Sequence, residues 1–414
     1  MVVGLFVMSE YKTRSGANAP LDIAIIGSGM AGASAARHLA LSIPDRLGRI
    51  ALHEIGRGPG GRAATRKSRS LPGFRVNHGA PYADITTAQG EALMASLDGA
   101  TEAYTGHRVR LDAETGGIHR NEHAEGVSLV TGADGEMAQI AEGLLRDARG
   151  DMLAPIETRF TSMVRGLTRA PADNGQWQLT DKQGEVIGRA DWLVVAGSGV
   201  AHPRWSETFG GEPPLVAAAQ DLDDRRLDEA LAVIAEQTAA PVLTVFFYLT
   251  GEAAGPWLAL GLNDVVVSGH SRIAKLSIQP AGEGGCSVVL YSTSDYAREN
   301  AGVHGASSSA ARVGGANSSA DREGVIVEDL LAALRELPSM PVVDPMVCAF
   351  GPLLHRWGNA FPLGEPLPHA LAVCPDARVA FCGDYVATDA RMGSVESALL
   401  SGANAAAAIR DALR

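Results

Sequence analysis

Lysine is scarce in this sequence. It occurs at Lys12, Lys67, Lys182 and Lys275 only, although lysine and arginine together number 35. Nearly all positive charge is therefore guanidinium. That reflects either coding bias or arginines kept for phosphate contacts, where a planar fork binds two oxygens at once. Acidic side chains number 47, and the net charge of −12 argues against a broad nucleic-acid or anionic-membrane surface. Cysteine is sparse too. Cys286, Cys348, Cys374 and Cys382 form no CxxC pair, which excludes a disulfide scaffold and the usual zinc spacings. No metal site is expected, and a reducing cytoplasm fits. No apolar run approaches the roughly 18 residues of a membrane span. Aromatic residues are 5% of the chain, so a densely aromatic amine cage is not advertised. GxSxG, HExxH and P-loop signatures are all missing. Residues 1–20 read as a disordered tail. MVVGLFVM is apolar but lacks a basic flank and a cleavage site, so it does not read as a signal peptide, and Met8 is an alternative start.

What is present is an ordinary globular composition, 46% hydrophobic and 20% charged over 414 residues, a length natural for two domains. LDIAIIG from Leu21 is a short Ile-rich run, read as a buried parallel strand. ASAARHLALS continues as a helix and RIALHE as a second strand, which together make a βαβ unit. The turn between the first strand and the helix is GSGMAG: Gly27, Ser28, Gly29, Met30, Ala31 and Gly32. Gly27 permits the tight turn, Gly29 lets backbone approach a pyrophosphate, and Gly32 lets helix and strand pack closely. The helix N-terminus then aims its free N–H groups at phosphate. Glu54 ends the second strand at the position expected of a carboxylate that holds ribose hydroxyls. A GxGxxG alone is weak; in this setting it points to a dinucleotide.

Four further stretches carry chemistry. GRGPGGRAATR follows Glu54 directly and adds backbone N–H groups with Arg57, Gly61 and Arg62 where a simple nicotinamide dehydrogenase has an ordinary helix. VNHGAPYADI holds His78, Gly79 and Ala80. FCGDYVATDARMGSVES places Gly383 and Asp384 at a strand end, then opens an Ala-rich helix at Gly393, Ser394 and Val395. LLHRWGNAFP holds His355, Arg356 and Trp357. Together these motifs resemble the flavoproteins of the amine-oxidase type, and most of all renalase and its bacterial relatives. The resemblance touches separate patches across about 20–414 and is poor over 201–340.

The resemblance implies FAD as cofactor. His78, Gly79 and Ala80 would lie near the isoalloxazine, Phe160 alongside the adenine, and Asp384 near the ribityl–pyrophosphate part. The helix opened by Gly393, Ser394 and Val395 would face the flavin's carbonyl edge, where its dipole stabilises the anionic reduced ring. The family's Ala-Val-Pro-like strand ending appears as Ala196-Gly197-Ser198, a departure that leaves this turn open. His78, His355 and Trp357 are the candidate catalytic residues. His78 reads equally as a structural histidine, Trp357 as packing and Arg356 as an ion pair. Cys382 reads as a buried strand cysteine rather than a flavin attachment point. Lys275 reads as a surface strand lysine, with a role near the oxygen-reacting face of a flavin as the alternative.

The expected fold is α/β. A Rossmann-type FAD-binding domain is assembled from 21–85, 135–200 and 373–414, and an inserted substrate domain, 86–134 and 201–372, carries a mostly antiparallel sheet. Residues 301–321 read as a flexible Gly/Ala/Ser loop. The expected activity is hydride removal from a small molecule, with O2 as acceptor and hydrogen peroxide as product. Isomeric dihydronicotinamide dinucleotides are the substrates the renalase resemblance implies. An amine or amino-acid oxidase, a biosynthetic flavin dehydrogenase and a non-catalytic dinucleotide sensor are the alternatives. No nucleic-acid or membrane partner is expected, and a homodimer is left open.

Overall fold

The computed structural model describes residues 20–121, 126–148, 155–169, 175–303, 305, 308–315 and 320–414. The tail and start expected over 1–20 lie outside these residues, apart from Pro20. The loop expected at 301–321 does so in part.

A six-stranded sheet organises the cofactor side. Its central strands are β1 (Leu21–Ile26), β2 (Leu47–Glu54) and β14 (Trp192–Ala196). β10 (Ile156–Phe160) closes one edge, and β21 (Val379–Cys382) with β20 (Val373–Cys374) the other, in the order β10-β2-β1-β14-β21-β20. All pairings are parallel except β20 with β21. The central strands are covered on both faces, which is why they read as continuous apolar runs rather than alternating ones. On one face lie α1 (Met30–Ser42), α2 (Ala88–Ala95), α3 (Ala138–Asp147) and α11 (Val395–Ala412), in one core with Ile23, Ile25, Ile50, Leu52 and Val194. On the other lie a small sheet, β11 (Gly166–Arg169), β12 (Trp177–Thr180) and β13 (Val186–Ala190), and helices α4 (Arg204–Phe209), α5 (Pro214–Ala219) and α6 (Arg225–Glu236). They share a core with Ala24, Leu193, Val195, Val379 and Phe381.

α1 and α11 pack closely. A methyl group at Gly402 of α11 would overlap the Ala31 carbonyl. The Ser34 hydroxyl donates to the Leu399 carbonyl at 2.7 Å. The first and last helices of the cofactor side are thereby one unit.

ETRFTSMVRGLTRA reads as one strand in sequence; it is two. Thr161 adopts φ 55°, and the Ser162 N–H turns back to the Glu54 carbonyl. The chain leaves the parallel sheet there and enters the sheet of β11.

The second large sheet has seven strands: β7 (Arg108–Asp112), β8 (Ile118–Arg120), β15 (Thr238–Leu249), β16 (Asp264–Ser268), β17 (Ile273–Ala281), β18 (Gly285–Ser292) and β19 (Phe350–Leu363). Their order is β19-β15-β18-β17-β16-β7-β8. Every pairing is antiparallel except β16 with β7. One face, including Val245, Phe247, Val265, Leu276, Val288 and Leu290, packs on α10 (Ala320–Glu336). The same core takes in α7 (Gly255–Ala259) and α8 (Ser294–Glu299), and the short α9 (Ser309–Arg312) lies inside the expected flexible loop.

Smaller pieces join the two sheets. β3 (Thr65–Lys67) pairs with β4 (Arg75–Asn77), and β5 (Ala83–Ile85) and β6 (Thr101–Ala103) flank β9 (Ser128–Gly132). The chain from 60 to 85 thus runs from the parallel sheet to the antiparallel one. The expected fold class, a Rossmann-type α/β domain with a mostly antiparallel second sheet, is the one observed.

Candidate functional site

The turn after β1 is built as its glycines require. Gly27 sits at φ 105°, and a Cβ there would come within 2.7 Å of the Ala196 carbonyl oxygen; one at Gly32 would overlap the Gly27 carbonyl. Gly29 caps α1 without any side-chain cap, and the first turn carries no acid. Its N–H groups are left for an anion. Ser28 is buried and its N–H donates to Glu54 Oε2 at 2.8 Å; the Gly56 N–H donates to Oε1 at 2.6 Å. These bonds fix the Glu54 carboxylate at the end of β2 and leave lone pairs for hydroxyl donors. Phe160 stands in register with Glu54 on the neighbouring strand and is partly exposed.

The Gly60–Gly61 loop lies against this turn, joined by a bond from the Gly60 N–H to the Ser28 carbonyl. Gly60 and Gly61 take φ 108° and 57°, and a Cβ at Gly61 would sit 3.2 Å from the Gly29 Cα. Arg57 is exposed on the loop. Arg62 turns to the C-terminal motif. Its guanidinium grips both oxygens of Asp384, at 2.7 and 2.5 Å, and also donates to the carbonyls of Asn359 and Ala360. Asp384 is buried, so Arg62 cancels a carboxylate that would otherwise repel phosphate. Gly383 takes φ 147° and a side chain there would overlap the Tyr385 ring. Gly393, φ 82°, donates its N–H to the Asp384 carbonyl, and Ser394 caps α11 by accepting from the Ser397 N–H.

The 78–80 segment is clamped between that loop and the antiparallel sheet. The Ala80 N–H donates to the Arg62 carbonyl, and a Cβ at Gly79 would overlap the same carbonyl. Trp357 Nε1 donates to the His78 carbonyl at 3.1 Å, and the Tyr291 hydroxyl to the Gly79 carbonyl at 2.8 Å. Strand register explains why Trp357, His355, Phe246 and Tyr291 all meet this segment. Thr244 pairs with His355 on one side and Tyr291 on the other, and side chains alternate across a sheet. This face is the one not packed on α10.

The three candidate catalytic residues are brought together. The His78 and His355 rings meet edge-on with centroids 4.9 Å apart, His355 and Trp357 lie 4.1 Å apart, and His78 lies 5.2 Å from Phe246. Burial is the main cause that lowers both imidazole pKa values. His355 falls to about 4, helped by Arg66, and His78 falls well below the usual histidine range, helped by His355 and Arg66. Both rings are therefore neutral at physiological pH. His78 Nδ1 is buried without a hydrogen-bond partner.

Several residues at this site escaped sequence reasoning. Arg66 lies 5.4 and 5.6 Å from the ring centroids of Phe246 and Phe350. Arg204 donates to the Ser198 hydroxyl beyond β14; burial lowers its pKa, and Arg62 is near enough to add to that. Glu396, in the first turn of α11, accepts from the N–H and hydroxyl of both Thr86 and Thr87 at 2.7–2.9 Å. Lys275, by contrast, was singled out in the sequence; it pairs with the buried Asp264 at 2.6 Å and Tyr82 donates to the same carboxylate, so it is not the plain surface lysine that one reading allowed. None of these carries a local motif. Cys382 is fully buried on β21, and burial pushes its thiol up to about 12.

The glycine turns, the fixed Glu54 carboxylate and the uncapped α1 N-terminus fit an FAD pyrophosphate and ribose. Sequence comparison agrees. An NAD(P)-binding Rossmann-like domain matches residues 25–99, and the flavin-containing amine oxidoreductase family matches residues 110–410. The chain belongs to the flavin-containing amine oxidoreductase family. It is an FAD-dependent oxidoreductase acting on a small molecule. Solved amine-oxidase structures share its fold. Cyclohexylamine oxidase from Brevibacterium oxydans IH-35A is 14% identical with TM-score 0.58, covering 95% of this chain and 99% of that one. Wild-type putrescine oxidase bound to putrescine is 14% identical with TM-score 0.54, covering 94% and 99%. These likenesses establish fold alone. No curated protein sequence matches the chain. Among the described residues no helix is long and apolar enough to cross a membrane, and no cluster of His, Cys, Asp or Glu is placed to hold a metal ion.

Proposed function

We propose that this flavoenzyme has a renalase-like activity: it oxidises isomeric dihydronicotinamide dinucleotides to the ordinary oxidised nicotinamide cofactor, in the cytoplasm. The observation that carries the reading is the chemistry of the pocket wall. Two buried neutral imidazoles, His78 and His355, stand beside the Arg66 cation. A dihydronicotinamide is already a hydride donor and needs no base. An amine arrives mainly as an ammonium, with a pKa near about 10. Arg66 repels that cation, and an imidazole with a pKa of about 4 is too weak a base to take its proton.

Bound FAD would supply the hydride acceptor, and O2 would carry the electron pair on to hydrogen peroxide. The chain's own residues would bind and orient. Gly27, Ser28, Gly29, Met30, Ala31 and Gly32 would cradle the pyrophosphate, Glu54 the adenosine ribose, and Phe160 the adenine. Arg57, Gly61, Arg62, Gly383 and Asp384 would border the ribityl–pyrophosphate part. His78, Gly79 and Ala80 would floor the ring site. Gly393, Ser394 and Val395 at the α11 N-terminus would face the ring's carbonyl edge. His355 and Trp357 would border the substrate. In this reading 21–85, 135–200 and 373–414 hold the cofactor, and the seven-stranded sheet presents the substrate side. The helices α2 and α4–α6, expected in the substrate domain, pack on the parallel sheet.

The test is anaerobic titration of the purified yellow protein, following the oxidised flavin band near about 450 nm. Isomeric dihydronicotinamide dinucleotides, NADH, NADPH and a panel of amines are added in turn. Rapid bleaching by the isomeric dinucleotides alone is expected. Bleaching by an amine with none by the dinucleotides overturns the reading in favour of an amine oxidase.

A further inference from the structure

β14 runs into Ala196-Gly197-Ser198, where the family pattern has an Ala-Val-Pro-like ending. The structure puts this turn between the two glycine motifs. A Cβ at Gly27 would come within 2.7 Å of the Ala196 carbonyl oxygen, and one at Gly383 would lie 3.6 Å from the Gly197 nitrogen. The Gly197 N–H donates to the Cys382 carbonyl at 2.9 Å. Ser198 therefore stands at the carboxyl ends of the parallel strands, the edge where open α/β sheets bind their ligands. It is buried, and its hydroxyl accepts from Arg204 Nη2 at 3.3 Å. A proline in its place would offer no side-chain acceptor.

Arg204 is held from behind. Its backbone N–H donates to His202 Nδ1 at 3.0 Å, so that ring nitrogen is an acceptor, and Nε2 donates to the Gln237 carbonyl at 2.7 Å. The Gln237 side-chain amide donates in turn to the carbonyl of Tyr385, the residue after Asp384, at 3.2 Å. The base of Arg204 is thus tied to the C-terminal motif. Its guanidinium is half-buried and, among the described residues, has no hydrogen bond beyond the one to Ser198 and no ion pair. A half-buried cation without a carboxylate is costly unless an anion joins it. The cofactor side lacks such a cation elsewhere. The charge of Arg62 is cancelled by Asp384 and Arg57 is exposed. The α1 N-terminus offers about half an elementary charge, against the two negative charges of a pyrophosphate.

We propose that Arg204, held against Ser198, is a phosphate ligand whose remaining N–H groups meet the pyrophosphate of FAD. A guanidinium suits the task because its fork reaches two phosphate oxygens at once. The departure at 196–198 then has a purpose: Ser198 supplies the hydroxyl that aims Arg204 along the strand ends. The proposal rests on the placement of the pyrophosphate at Gly27–Gly32 and is independent of which substrate the flavin oxidises.

The test is release of FAD from the purified holoenzyme, followed as the rise of free-flavin fluorescence after dilution into low and high NaCl. Arg204→Gln should release FAD about tenfold faster at low salt, the loss expected of one charge-assisted hydrogen bond. Its release should also respond less to salt, because the contact that salt screens is gone. Arg204→Lys keeps the charge and should fall between. Equal release by Arg204→Gln and the unmodified protein overturns the proposal, as does faster release with the salt response unaltered, the mark of a merely structural arginine. Ser198→Ala deletes a single hydroxyl and decides where Arg204→Gln does not fold: it should quicken release, and unchanged release overturns the proposal. Gly29→Asp tests the pyrophosphate placement separately. Gly29 takes φ −67°, and a Cβ there would be 3.8 Å from its nearest neighbour, so aspartate fits as a helix cap and sets a carboxylate against the phosphates. Faster release from Gly29→Asp with unchanged release from Arg204→Gln keeps the placement and defeats the Arg204 contact. The reverse keeps Arg204 as a contact of FAD and defeats the placement.

Discussion

Glu54 and Arg62 show how few atoms the cofactor side depends on. Glu54 is the acceptor for two backbone N–H groups at the turn where a ribose would sit. Glu54→Ala leaves both donors without a partner, each worth about 1–3 kcal/mol, and would remove the proposed ribose contact. We expect at least tenfold weaker FAD retention, read as flavin absorbance per protein after gel filtration; full flavin content would show that the ribose lies elsewhere. Arg62 is the partner of a carboxylate that is only 5% exposed. Arg62→Met strands that buried charge, at a cost of about 3–5 kcal/mol. Thermal unfolding should fall by many degrees, and Arg62→Met with Asp384→Asn should recover part of the loss. A double variant no more stable than the single one would mean that the pair is not the cause.

At the scale of elements, helix contact decides more than helix propensity. α1 and α11 meet at Gly402, where no side chain fits above the Ala31 carbonyl. Gly402→Leu must push the helices apart, and overpacking of this kind costs about 1–3 kcal/mol or more. Because α1 carries Gly29 at its cap and α11 carries Ser394, we expect lower melting temperature and lower flavin content together. Loss of stability with flavin affinity intact would separate the two. This scale also marks where sequence reading stops. The Gly27–Glu54 unit was legible because glycine spacing and a strand-ending carboxylate are local signals. The C-terminal Gly383–Val395 motif was legible for the same reason. The bidentate grip of Arg62 on Asp384 was not, although both residues were singled out, because 322 positions separate them. Arg66 and Glu396 went unread because their roles arise from strand pairing and from contact with Thr86 and Thr87. The break at Thr161 was hidden by a uniformly strand-like run.

For the whole molecule, buried histidines set the response to acid. His53 and His355 are both lowered to about 4 from 6.5, chiefly by burial. Unfolded, they take up protons near 6.5; folded, they resist until about 4. The unfolded chain therefore binds more protons between these values, and stability falls as pH falls through that window and is fully present above it. Each shift corresponds to about 3 kcal/mol. Chemical denaturation should show a markedly lower unfolding free energy at pH 4.5 than at pH 7.5. His53→Gln should shallow that dependence, and an unchanged slope would place the acid sensitivity elsewhere.

The ion pair between residues 62 and 384 has a consequence for synthesis. β1, with Gly27, leaves the ribosome more than 300 residues before β21 and α11 do. Until then the parallel sheet lacks an edge, α1 lacks the helix it packs on, and Arg62 lacks its carboxylate. A nascent chain can form the βαβ unit early but cannot close the groove around a dinucleotide. Flavin loading is therefore expected to wait for β21 and α11, and the rate at which yellow colour appears should follow the emergence of these two elements rather than that of the glycine-rich turn.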